Sequence, residues 1–278
     1  MGQLLRAETV PQAVAEEDDP FRYGWRYVRR PQSDGTEVVD QIPLTLEDLL
    51  YPEEDDFVVQ EPWYTQDFAY CHTVLETFYA ADPSVVVLGD CRVDWGVEGV
   101  RPLGPDILVL FEVHQWLRRA TFHLAEEGGQ PALVLEIVSP STRVHDLGAK
   151  LNLYYRVGVQ KYVLVDRGPQ GDDPVRVFGY QRGPTGWLSL PLNARGQIDL
   201  APVGLLLGTE ESRPWLYNAM TGAREPDRTE LRQALTDAEG RARDAEARAR
   251  EEARARAALE ERVRALEAQL HRQQGEEV

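Results

Sequence analysis

Four largely apolar, non-alternating runs constrain this chain more than anything else in it: VVVL at 85–88, ILVLFEV at 107–113, ALVLEIV at 132–138 and KYVLVD at 161–166. A strand with one wet face alternates apolar and polar residues, whereas a continuous run is covered on both faces. The expected architecture is therefore α/β, a sheet covered by helices. With 278 residues, 42% of them hydrophobic, the chain can bury such a sheet.

The segments between the runs supply the helices. STRVHDLGAKLNLYYRVG joins the last two, with Ser141 or Thr142 as N-cap and Gly158 as stop, so a helix is predicted over about 142–157 and a strand–helix–strand unit over 132–166. Its inward stripe is read as Leu147, Leu151 and Tyr154, with Lys150 at the margin. Residues 67–80 carry helical spacing of Phe68, Val74, Leu75 and Phe78. TLEDLLYPEEDD, from Thr45, reads as a short capped helix and an acidic turn, and 176–200 as a hairpin around GPTG at 183–186.

Three regions follow: 1–40, an acidic and partly flexible N-terminal segment; 41–225, the folded domain; and 229–278, rich in Ala, Arg and Glu. In the last, Leu231, Leu235, Ala238, Ala242, Ala245, Ala249, Glu252, Arg256, Leu259, Val263, Leu266 and Leu270 keep strict 4–3 spacing, which predicts a C-terminal coiled coil and a homo-oligomer. A solvated single helix held by Glu–Arg pairs four apart has the same composition.

Charge and cysteine content narrow the function. The net charge of −17 argues against a general nucleic-acid coat protein. It is concentrated early: residues 1–70 hold 5 basic and 16 acidic side chains, against 13 and 17 in 71–223. No run approaches the roughly 20 apolar residues of a membrane helix, and MGQLLRAETV lacks the pattern of a secretory signal. Cys71 and Cys91 make neither a disulfide framework nor a CxxC clip, so a reducing cytoplasm and no membrane partner are expected.

Candidate chemistry centres on three residues. Pro105 sets Asp106 at the edge of a strand. Glu136 lies inside the run LVLEIV, on the face of Val134 and Val138, where a carboxylate must be protonated, paired or metal-bound. Two convergent carboxylates repel, and a hard divalent cation relieves that by taking both as ligands. If the helix after Glu136 doubles back over the sheet, Lys150 returns to the level of Glu136, since three strand residues cover about 10 Å and the helical segment retraces about 12 Å. The chain has only two lysines, Lys150 and Lys161, against 28 arginines. Each residue also has an ordinary reading: Asp106 as a turn residue, Glu136 paired to a core arginine, Asp146–Lys150 as an i,i+4 pair.

GPDILVLFEV (104–113) and the long segment 129–166, with PLTLEDLLYPEEDD (43–56) and APVGLLLG (201–208), resemble the Uma family of restriction-endonuclease-like proteins in the PD-(D/E)xK superfamily. The resemblance implies a restriction-endonuclease-like fold, a central mixed β-sheet flanked by helices, with Asp106 and Glu136 as the two carboxylates and Ile137 as a metal ligand through its carbonyl. Where the superfamily lysine follows two residues later, this chain has Val138, and Lys150 matches a lysine on the next helix. Asp90 and Asp146 match recurrent acidic positions and His72 a recurrent histidine, as accessory residues. The function so implied is a Mg²⁺- or Mn²⁺-dependent endonuclease hydrolysing phosphodiester bonds of nucleic acid, DNA in preference to RNA. The alternative is a non-catalytic assembly protein that combines a nuclease-like fold with a coiled coil.

Overall fold

The structure is a computed structural model that describes residues 19–275 except 34, 54 and 170–172, with side chains described up to Ala268. The chain divides into two compact units, one ending at Glu225 and the other starting at Pro226.

The first unit opens with an antiparallel pair, β1 (Gly24–Pro31) and β2 (Glu37–Pro43). The boundary expected at 40/41 thus falls inside a strand. Irregular composition hid this pairing, because exposed positions along it hold apolar residues such as Tyr27, Val38 and Val39 as well as polar ones. The expected flexibility of residues 1–18 lies outside the described residues. Thr45 and Asp48 form a reciprocal capping box at α1 (Leu46–Leu50), the short helix the sequence indicates. After β3 (Phe57–Val58), α2 spans Pro62–Phe78. It starts five residues before the apolar spacing does, because Pro62 at its first turn carries a helix-ready φ and lacks only an N–H that would go unused.

Next come β4 (Val86–Gly89), β5 (Arg92–Asp94), β6 (Ile107–Phe111), β7 (Thr121–His123), α3 (Leu124–Glu127) and β8 (Gln130–Val138). A π turn at His145–Ala149 leads directly into α4 (Lys150–Arg156). Neither Ser141 nor Thr142 caps this segment as expected. Instead Ser139 Oγ accepts from the Thr142 N–H, and Thr142 Oγ1 turns to Asp146. β9 (Lys161–Asp166), β10 (Arg176–Arg182) and β11 (Trp187–Ser189) complete the main sheet, followed by β12 (Ile198–Asp199), β13 (Leu205–Glu210) and β14 (Arg213–Asn218). The expected hairpin around GPTG therefore ends at Ser189. β12 pairs with β13 in another sheet, since Ile198 is drawn into that core.

The main sheet is mixed, in the order β11-β10-β9-β8-β6-β4, and all four apolar runs contribute a strand. β8 and β9 are its parallel pair, joined by the π turn and α4, with Glu136 opposite Leu164. Both faces are covered. On one, Ile107, Leu135, Ile137 and Val163 pack with Cys71, Val74 and Leu75 of α2 and with the β12–β14 sheet. On the other, Leu108, Val134, Val138 and Leu164 pack with Tyr154 of α4 and Trp95. Continuous apolar strands result from this double cover, each alternate side chain facing a different core.

The second unit is one helix, α5 (Arg228–Gly275). Leu231, Leu235, Leu259, Val263 and Leu266 are exposed along it. No helix among the described residues is long and apolar enough to cross a membrane.

Candidate functional site

β6 begins at Ile107, opposite Leu135 and one residue short of the level of Glu136, and Asp106, just before it, fills the gap. Its Oδ2 accepts the Ile137 N–H at 2.7 Å, taking the place of a carbonyl that a longer β6 would offer. In return the Asp106 N–H approaches Glu136 Oε2 at 3.4 Å. Register puts Glu136 on the same face as Val134 and Val138, as the sequence indicates, and it is 1% exposed. Because the N–H and C=O of one strand residue leave the same edge, the Ile137 carbonyl also faces the Asp106 side.

Lys150 meets them from the helix. Its Nζ donates to Glu136 Oε2 at 2.9 Å and pairs with Asp146 Oδ1 at 2.9 Å, the latter as an ion pair outside hydrogen-bond geometry. Thr142 Oγ1 donates to Asp146 Oδ2 at 2.7 Å. The inward stripe differs from the expected one: Asp146, Lys150 and Tyr154 are buried, while Leu147 and Leu151 are half-buried. The polar residues win the interior because Glu136, already inside, needs partners more than the leucines need cover. The π turn just before Lys150 falls where such irregularities often mark a site.

Two tyrosines that sequence reasoning did not assign hold the carboxylates. Tyr154 donates to Glu136 Oε1 at 2.6 Å, and Tyr64 of α2 donates to Asp106 Oδ1 at 2.8 Å. Tyr154 had a signal in its spacing of four from Lys150, whereas Tyr64, 42 residues before Asp106, had none. Tyr64, Phe68 and His72, each four apart, form a stack with ring centroids 6.2 and 5.7 Å apart. His72 is thereby an aromatic packing residue laid over Gly89, where a Cβ would come within 2.5 Å of its ring. Asp90 follows in a left-handed conformation, φ 47°, and its N–H donates to the Asp106 carbonyl at 2.8 Å.

Electrostatically the cluster is short of cations: Asp90, Asp106, Glu136 and Asp146 surround Lys150. Burial, and then the Glu136 charge, push the Asp106 carboxyl well above the ordinary carboxylate range. Burial also raises Glu136, partly opposed by Lys150, and raises Asp90. Burial alone would lower Lys150, but Asp146, Glu136 and Asp106 outweigh it and hold it firmly protonated. Burial and the adjacent carboxylates raise Tyr154 and Tyr64, so both remain hydrogen-bond donors.

This donor set suits a hard divalent cation. The carboxyl groups of Asp106 and Glu136 meet here, linked through the Asp106 and Ile137 backbone N–H groups. Among the described residues no three His, Cys, Asp or Glu side chains are grouped to enclose an ion by themselves. Mg²⁺ does not require such a cage, since it is commonly held by one or two carboxylates with water and substrate oxygens.

Comparison with known proteins gives the cluster its context. An uncharacterized protein (slr1290) of Synechocystis sp. is 35% identical over 77 residues, which is 27% of this chain and 38% of that protein's length. The crystal structure described as a "putative nuclease belonging to DUF820" from Anabaena variabilis shares 13% identity, covering 65% of this chain and 83% of its own at a TM-score of 0.39. Residues 27–210, which contain every residue of the cluster, match the family Uma2, described as "Putative restriction endonuclease", and the chain belongs to that family.

Proposed function

We propose that this protein is a metal-dependent endonuclease that hydrolyses phosphodiester bonds of nucleic acid, DNA in preference to RNA, with Asp106, Glu136 and Lys150 as its working residues. The observation that carries the reading is the meeting of two carboxyl groups and one ammonium, from three separate segments, in a buried cluster where acidic groups outnumber the one cation. Asp106, Glu136 and the Ile137 carbonyl would hold Mg²⁺ or Mn²⁺, which would supply Lewis acidity at the phosphoryl group. Asp106 and Glu136 are pre-oriented for that ion, each carboxylate fixed by a tyrosine hydroxyl and a second donor. Lys150 presents a compact positive charge to the non-bridging phosphate oxygens, steadied by Asp146. Asp90 braces the Asp106 backbone through its N–H, and His72 keeps α2 seated on Gly89. Two free cysteines agree with a cytoplasmic setting. The exposed line Leu259, Val263 and Leu266 on α5 supports self-association as a coiled coil.

A second reading, a non-catalytic assembly protein, is favoured by one feature: all four carboxylate oxygens of Asp106 and Glu136 already accept protein hydrogen bonds. The deciding experiment incubates full-length protein with single- and double-stranded DNA and RNA, in Mg²⁺, Mn²⁺ or EDTA. Cleavage that requires metal and vanishes in Glu136→Gln supports the nuclease. Silence of the wild type on all four substrates with both metals overturns it.

A further inference from the structure

The loop between β6 and β7 is anchored from within. Glu127, 1% exposed, accepts the Leu117 N–H at 2.7 Å through Oε2 and the His123 N–H at 3.1 Å through Oε1. Its carbonyl accepts from the N–H groups of His114 and Gln115. Glu112 and Arg118 take left-handed conformations, φ 56° and 51°, which side-chain-bearing residues adopt at a cost. A buried carboxylate and two unfavourable backbone conformations thus shape a loop whose tip is solvent-facing.

What the tip displays is cationic and aromatic. Trp116 is 41% exposed, and the Arg118 guanidinium lies 4.6 Å from its ring centroid. Arg119 is exposed beside it, paired with Glu126 at 2.9 Å. Residues 113–123, VHQWLRRATFH, contain two arginines, two histidines and no acid, in a chain of net charge −17. The loop also returns towards the carboxylate cluster. The Ala120 carbonyl is 3.8 Å from Cys91 Sγ, Thr121 pairs in register with Arg92, and Asp90, next to Cys91, is hydrogen-bonded to Asp106.

We propose that Trp116, Arg118 and Arg119 form a docking loop for a nucleic-acid strand leading into the Asp106–Glu136 cluster. Arg118 and Arg119 contact phosphates, and Trp116 stacks on a base through the ring face that Arg118 leaves open. This deepens the nuclease reading and rests on it. It specifies the substrate as a single-stranded or frayed segment, because the bases of an intact duplex are stacked on each other and cannot offer a face. The loop's chemistry suits a strand better than a protein partner, whose interface would need an apolar core around the tryptophan. The flanking His114, Gln115, Arg118 and Arg119 are all exposed polar residues.

Equilibrium binding tests it, with full-length protein in EDTA, so that metal-dependent cleavage cannot occur, and labelled oligothymidine, oligouridine or a blunt DNA duplex. Trp116→Ala should weaken single-strand binding about 10-fold, the loss of one stacked base. The double variant Arg118→Asn, Arg119→Gln should flatten the slope of log affinity against log salt by about 1.4, two single-strand phosphate contacts. Asparagine tolerates the left-handed backbone at 118, so folding is spared. Arg195→Gln, on an exposed turn elsewhere, should change neither quantity. Unchanged affinity and slope in the loop variants, stronger binding to duplex than to single strands, or no binding by the wild type overturns the proposal. Metal-dependent cleavage by the wild type, assayed separately, would leave the nuclease reading standing in that event. Loop-dependent binding without any cleavage would do the reverse.

Discussion

Lys150 Nζ lies 2.9 Å from Glu136 Oε2, a buried ion pair between α4 and β8 with the lysine only 5% exposed. Removing one member of such a pair strands the other in a poor solvent, typically at a cost of about 3–5 kcal/mol. Lys150→Met should lower unfolding free energy by that order in denaturant titrations, and should abolish cleavage while Mn²⁺ binding persists. Lys150→Arg should recover only part of either, since the planar guanidinium does not fit a site shaped for an ammonium. A Lys150→Met protein as stable as wild type would show that the pair contributes nothing to the fold.

Glu136→Gln keeps the side-chain volume and loses the charge that attracts a cation. Calorimetric titration with Mg²⁺ or Mn²⁺ should show affinity at least about 100-fold weaker, the upper range for disturbing even an outer partner of a metal ligand. Circular dichroism should be unchanged. Wild-type affinity in the variant would remove Glu136 from the ligand set.

The two tyrosines make a finer claim. A hydrogen bond to an ionised carboxylate contributes about 1.5–3 kcal/mol. Tyr154→Phe should therefore destabilise the protein by that amount at neutral pH and raise the Glu136 pKa further. If Tyr154→Phe is neutral in stability and leaves the pH profile of cleavage where it was, the hydroxyl has no part in holding Glu136.

Stability should also depend on pH in a sense set by Asp106 and Glu136. Burial raises both carboxyls, so the fold prefers them protonated. Their contribution is fully present below the unfolded carboxyl values, about 4, and is lost as pH rises through the raised folded values. Lys150 is raised as well, so its contribution persists up to its unfolded value of about 10.4 and does not oppose this trend. In EDTA the melting temperature should fall as pH increases above about 4, and Mg²⁺ should restore it at the alkaline end. Glu136→Gln should flatten the EDTA profile, and an equally steep profile in that variant would rule out the cluster as its source.

α5 presents Leu259, Val263 and Leu266 on one line, all exposed. Sedimentation of the full chain and of a version ending at Arg228 should differ in oligomeric state. The same state for both excludes α5 as the assembling element, and a dimer that survives truncation belongs to the first unit.

The sequence by itself determined the covered strands of the sheet and the face on which Glu136 lies. Non-alternating runs at 85–88, 107–113, 132–138 and 161–166 became β4, β6, β8 and β9, because continuous apolar character is the direct imprint of cover on both sides. Glu136 stood out for the same reason, as a charge where the pattern allows none, and helix length was enough to bring Lys150 back to it. Tertiary structure alone decided how the cluster is satisfied. Tyr64 reaches Asp106 from 42 residues away, and no local period encodes a partner at that separation. Thr142, expected as a cap, serves Asp146 instead, and the leucine stripe yields the interior to Asp146 and Lys150, because a buried carboxylate recruits polar partners more strongly than helix pattern retains apolar ones. β1 and β2 were hidden because apolar and polar residues alike lie exposed along them, so no face carries a periodic apolar pattern, and β5 and β7 because they are three-residue strands paired across 26 residues of loop and strand. Sequence periodicity reports what each segment buries, and the fold decides which distant groups are brought close enough to answer a buried charge.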